Sequence, residues 1–138
     1  MSFIVDASVI LAWLLPDERN EEAEAVVSRL VEDRAHAPSL LLLEVGNALL
    51  QAQRRGRLPD TLHDGLLDAF TSLPLMLVPI TADNMLSART LAQRHALSLY
   101  DACYLDLALA RRMPLATFDR QLAAAAGEEG LAMITTMP

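Results

Sequence analysis

Short apolar runs alternate along this chain with longer stretches whose apolar residues recur every three or four positions, a pattern of strands alternating with helices. Phe3-Ile4-Val5 is continuous and β-rich, as expected of a strand buried on both faces of a parallel sheet. Asp6 ends it, and residues 9–15 then read as a helix that Pro16 closes. Ala23, Val26, Val27, Leu30 and Val31 predict a second helix over residues 20–34, followed by a brief second strand at residues 35–38. Ser39 is the expected N-cap of a long helix that runs to about Arg55 and stops at Gly56. Its first turn, Leu40-Leu41-Leu42-Leu43, is apolar all round and predicts burial on most sides. Pro59 opens another helix with Leu62, Leu66, Ala69, Phe70 and Leu73 on one face and His63 exposed. Two consecutive helices break the alternation and predict a hairpin projecting from the sheet.

Residues 75–80 form the next strand, and Thr81 caps a helix over residues 82–95 with Met85, Ala88, Leu91 and Ala92 inward. After a short extended link, Tyr100 and Asp101 begin a helix that runs through Arg112, with Pro114 at its end. Residues 115–118 form a strand ended by Asp119, residues 121–126 a helix stopped by Gly127, and residues 131–136 a last strand. The whole, residues 1–138, reads as one domain, long enough to bury roughly two-thirds of the surface its unfolded chain exposes.

Composition adds a partner to this picture. A hydrophobic content of 53% and a mean hydropathy of +0.28 are rich for a soluble monomer and imply apolar surface covered by another molecule. No apolar run approaches the ~18 residues of a membrane span, and the first residues lack the basic region of a signal peptide, so the expected location is cytoplasmic. The single Cys103, mid-helix, fits a reducing compartment. Net charge is −7, with Asp17, Glu18, Glu21, Glu22, Glu24, Glu32 and Asp33 crowded into one early solvated face. All eleven basic residues are arginines, the better bidentate phosphate ligands. An acidic chain binds nucleic acid only through a local basic patch.

Four acids carry the candidate chemistry. Asp6 and Asp119 lie at the carboxyl ends of strands, Asp101 at the amino end of a helix, and Glu44 in the second turn of one. In a parallel α/β sheet these addresses share one edge, where such sheets place their ligands. Helix capping competes as an explanation of Asp6, Asp101 and Asp119 taken singly, and an ordinary polar stripe of Glu44, Asn47 and Gln51 competes for Glu44. Jointly placed, four carboxylates repel one another and call for a counter-charge. Magnesium or manganese is the hard cation that such oxygen ligands select, and water attack on a phosphodiester is chemistry that suits the site. Asp106 lies about 140° around its helix from Asp101 at ~100° per residue. It is expected to support the site indirectly, face a partner or be solvated. His36 is a lone histidine and takes no role.

Four stretches together resemble the motifs of PIN domains, most closely those of the VapC toxins of type II toxin–antitoxin systems. They are Ile4-Val5-Asp6-Ala7-Ser8, Glu44-Val45-Gly46-Asn47-Ala48-Leu49, Tyr100-Asp101-Ala102-Cys103-Tyr104-Leu105 and Leu115-Ala116-Thr117-Phe118-Asp119. The resemblance spans nearly the whole chain. It implies a three-layer α/β/α sandwich around a five-stranded parallel sheet, and a magnesium- or manganese-dependent endoribonuclease. It also implies a homodimer neutralised by a small VapB-like antitoxin, a segment of which lies in the groove over the site. Asp6, Glu44, Asp101 and Asp119 match the acidic positions, catalytic and metal-binding. Ser8, Asn47 and Thr117 match the polar positions that support them. Asp106 departs from the small apolar residue expected there. Arg54, Arg55, Arg57 and Arg120 are the candidates for RNA phosphate contacts, although the first three also suit the dipole at their helix's end.

Receiver-like and dehalogenase-like phosphotransfer folds need a lysine that this chain lacks, and no glycine-rich nucleotide loop occurs, so no nucleotide cofactor is expected. A ribonuclease-H-like fold would open with an antiparallel meander. Two alternatives stay open: a catalytically weak PIN-like module that binds RNA or protein, and a housekeeping RNA-processing PIN nuclease.

Overall fold

The computed structural model describes residues 1–135. Its elements follow in the order β1 (Ser2–Val5), α1 (Ala7–Leu14), α2 (Glu21–Ser28) with a 3-10 turn at Arg29–Val31, β2 (Arg34–Pro38), α3 (Leu40–Arg54), α4 (Asp60–Thr71), β3 (Leu75–Val78), α5 (Ala82–His95), α6 (Leu99–Arg111), β4 (Leu115–Ala116) and α7 (Arg120–Glu128). The sheet runs in the order β3-β2-β1-β4, and every pairing is parallel. Right-handed crossovers put α1 to α4 on one face and α5 and α6 on the other. Packing agrees, since α1 touches α2, α3 and α4, while α6 touches α5, α7, β1 and β2. The result is the three-layer α/β/α sandwich that the resemblance to PIN domains implies.

β1 is central and carries the apolar run Phe3-Ile4-Val5, each residue at most 1% exposed. Ile10, Leu14, Leu41, Leu49, Leu105 and Leu122 close over the sheet from the helices. The chain leaves β1 toward β2 but leaves β4 in the opposite sense. The crevice beyond their carboxyl ends is therefore a topological switch point, where open sheets leave room for a ligand.

Several expectations are corrected. Among the described residues the sheet has four strands, not five. Residues 131–136 supply only an isolated parallel bridge between Met133 and Leu115, with Leu115 N–H donating to Ala132 O and Ile134 N–H to Leu115 O; Thr136 lies outside the described residues. The cause is local: β4 is two residues long, and Thr135 presents its hydroxyl to the next residues' backbone in place of a ladder. It accepts from Thr117 N–H at 3.1 Å and donates to Thr117 O at 2.6 Å.

Ser39 stands at the N-cap position of α3 with helical backbone angles and makes no side-chain capping bond. The leucine turn is buried only at Leu41, whereas Leu42 and Leu43 are 44% and 79% exposed, because one side of α3 meets the rest of the fold. Leu62 and Met85 are also exposed, and His63 is half-buried rather than exposed. The helical hairpin α3–α4 is present, and α1 packs against both of its helices. Among the described residues no helix is long and apolar enough to cross a membrane.

Candidate active site

β1 delivers Asp6 to the switch point, and α1 begins there. Asp6 is 4% exposed and is the N-cap of α1. Its Oδ1 accepts from Ser8 N–H at 3.1 Å, Val9 N–H at 3.4 Å and Ser8 Oγ at 2.6 Å, and its Oδ2 accepts from Thr117 Oγ1 at 2.5 Å. Burial nonetheless dominates and pushes the carboxyl up to about 6. The bonds from Ser8, Thr117 and Val9 pull the other way, and the charge of Asp101 adds to the rise.

Ser8 and Thr117 also fasten β4 to the start of α1. Ser8 Oγ accepts from Phe118 N–H at 2.9 Å, and Thr117 Oγ1 accepts from Asp119 N–H at 2.9 Å. Asp119 is the N-cap of α7, its Oδ1 accepting from Leu122 N–H at 2.9 Å. The capping and site readings of Asp6 and Asp119 are thus compatible: the bonds that cap each helix also fix where its carboxylate stands.

Asp101 is in the first turn of α6, where Ser98 rather than Asp101 supplies the cap: Asp101 N–H donates to Ser98 Oγ at 3.1 Å. Burial and then the charge of Asp119 raise its carboxyl, against the Ser98 bond. Glu44, half-buried on α3, is raised by burial and by Asp101, against a hydrogen bond from Tyr104. Asp101 therefore feels Asp119 and is felt by Asp6 and Glu44, which makes it the hub of the quartet.

The donors are all hard oxygens, and three of the four carboxyls are held above their ordinary values by burial and mutual repulsion. Both features fit a divalent cation. Among the described residues no group of three or more His, Cys, Asp or Glu side chains stands close enough together to hold a metal ion. Magnesium does not require one, since it keeps several waters and is commonly held by one or two carboxylates.

A model of the PIN domain matches residues 3–128. The chain belongs to the PIN-domain family. It is 38% identical over 124 residues to ribonuclease VapC3 of Pyrobaculum aerophilum, covering 89% of this chain and 93% of that protein. The crystal structure of PAE2754 from Pyrobaculum aerophilum superposes with a TM-score of 0.71 at 24% identity, over 97% of this chain and 84% of that one. A toxin–antitoxin complex from Klebsiella pneumoniae superposes with a TM-score of 0.64 at 17% identity, over 96% and 98%. These structural likenesses show the fold.

The remaining predicted residues of this PIN domain separate. Asn47 is exposed on α3, one turn beyond Glu44, and is not joined to Asp6 as Ser8 and Thr117 are. Arg54 and Arg55 are exposed at the far end of α3, ten residues or ~15 Å along the helix from Glu44. Arg57 is engaged by Asp17 at 3.0 Å and Glu18 at 2.9 Å. Arg120 is exposed in the first turn of α7, beside Asp119. Asp106 lies off the acidic face, accepting from Ser87 Oγ on α5. His36 is buried with Nδ1 3.3 Å from Arg111.

Two residues escaped the sequence reading. Tyr104 donates from its hydroxyl to Glu44 Oε1 at 2.5 Å. Its position three residues after Asp101, on the same helix face, was the available signal. Thr135, which clamps Thr117, had none.

Proposed function

We propose that this PIN-domain protein is a Mg2+- or Mn2+-dependent endoribonuclease that cleaves RNA phosphodiester bonds in the cytoplasm, as the toxin of a toxin–antitoxin pair. The observation that carries this reading is the buried Asp6 at the switch point, held on one oxygen by Ser8 and on the other by Thr117, whose hydroxyl also receives the backbone N–H of Asp119. The relative named ribonuclease VapC3 supports RNA as substrate, and the complex from Klebsiella pneumoniae supports an antitoxin partner.

Asp6, Asp101 and Asp119 would hold the cation together with several of its waters, and Glu44 would complete its surroundings or orient water. When bound, the ion supplies a Lewis acid that offsets phosphate charge and lowers the pKa of a water. Ser8 and Thr117 prevent Asp6 from turning away, because each donates to one of its two oxygens. The N-terminus of α1 points at Asp6 and favours its ionised form once the ion is present. Arg120, adjacent to Asp119, reaches RNA phosphate, with Arg54 and Arg55 further along the chain's path. Arg57 is already engaged by Asp17 and Glu18.

The test is RNA cleavage by wild type and Asp6→Asn in magnesium, manganese and chelator. Cleavage falls by more than about 100-fold in the variant, a loss at least as large as that of a metal's supporting residues, and it stops in chelator. Equal rates in Asp6→Asn, or in chelator, would defeat the proposal.

A further inference from the structure

Among the described residues Tyr104 is the largest fully buried side chain, at 1% exposure, and its hydroxyl meets the carboxylate of Glu44 rather than a backbone group. A phenylalanine would fill the same volume, so packing alone does not require the hydroxyl. Glu44 is long and flexible, and an unanchored glutamate gives up rotamer freedom when fixed. The phenol is rigid, comes from the same helix as Asp101, and makes a short bond of the charge-assisted kind. We infer that Tyr104 is a positioning residue for Glu44: its hydroxyl holds the Glu44 carboxylate beside Asp101 and thereby sets the affinity of the pocket for a divalent cation. The inference rests on the reading of Glu44 as part of that pocket.

The experiment measures Mn2+ binding by calorimetry, and Tm in chelator, for the full chain and for Tyr104→Phe, Glu44→Gln and the double variant. Tyr104→Phe weakens Mn2+ binding about tenfold, within the range for groups that orient metal ligands. Tm changes little, and the double variant binds no worse than Glu44→Gln alone. If Glu44→Gln weakens binding but Tyr104→Phe matches wild type, whatever its Tm, the inference falls and the pocket reading stands. If wild type binds no Mn2+, or Glu44→Gln binds as wild type does, both fall.

Should Tyr104→Phe fail to fold, 3-fluorotyrosine in a Tyr100→Phe background leaves one fluorine signal, at position 104. A shift of that signal on adding Mg2+, absent in Glu44→Gln, upholds the role. A signal indifferent to Mg2+ overturns it.

Discussion

Asp6 is asked to be two things at once, a buried helix cap and a charged ligand, and its proton shows the conflict. An aspartate carboxyl ordinarily near 3.8 is here pushed up to about 6. In the metal-free chain Asp6 keeps its proton between about pH 4 and about pH 6 in the folded state, where the unfolded chain has released it. Its stabilising contribution is thus full below the unfolded value and lost as pH rises through about 6. At ~1.4 kcal/mol per tenfold change in proton affinity, ionised Asp6 costs the fold on the order of 3 kcal/mol at neutral pH. In chelator, Asp6→Asn is therefore more stable than wild type at pH 7.5 by about that amount, and the difference shrinks toward pH 4. Urea denaturation of both proteins at several pH values measures it, and a variant less stable than wild type at pH 7.5 would contradict it. The acids were legible because each stands at a recognisable address, a strand's end or a helix's first turns. Tyr104 and Thr135 were not, because their importance lies in which atoms they touch across the fold.

The elements α5 and α6 are read closely from the sequence because their ends are chemically marked. Thr81, the expected cap of α5, forms a reciprocal capping box with Asn84, and Pro114 marks the end of α6, whose cap Ser98 reads instead as part of the extended link before it. The other end of α5 carries a local conflict: Ala96 terminates it with φ at +53°, in the left-handed region that disfavours any residue with a Cβ. Ala96→Gly relieves this and raises stability by roughly 0.5–1 kcal/mol. Chemical denaturation at neutral pH tests it, with a loss of stability as the contrary result. The fifth strand was misread for the opposite reason. Its composition is apolar and β-rich, but its partner β4 has two residues, and pairing length depends on both strands. The leucine turn of α3 misled in the same way, since propensity and hydropathy do not say which side of a helix the rest of the protein occupies.

The whole molecule leaves an apolar rim around an acidic pocket. Leu43, immediately before Glu44, is 79% exposed, and Tyr100, immediately before Asp101, is 65% exposed. Part of the surplus hydrophobicity of the sequence comes to the surface here, although Val31, Leu86 and Met76 expose more of it elsewhere, and the rim suits a covering partner. Leu43→Asp, being exposed, changes stability by less than about 0.5 kcal/mol. If the proposed antitoxin docks on this rim, the substitution weakens its binding about tenfold or more, as loss of an apolar anchor does. Calorimetric titration with the antitoxin measures the loss, and unaltered affinity would remove Leu43 from the interface. The free chain is expected to scatter light as a dimer at micromolar concentration, and a monomer there would count against the homodimer.

The bond from Thr117 to Asp6 joins positions 111 residues apart, and Thr135 then locks Thr117 from still further along. A ribosome making this protein releases Asp6 first and the residues that surround it last. Unfinished chains therefore lack the bonds that fix Asp6, and a premature stop codon ahead of Thr117 yields a chain in which that carboxylate is not held.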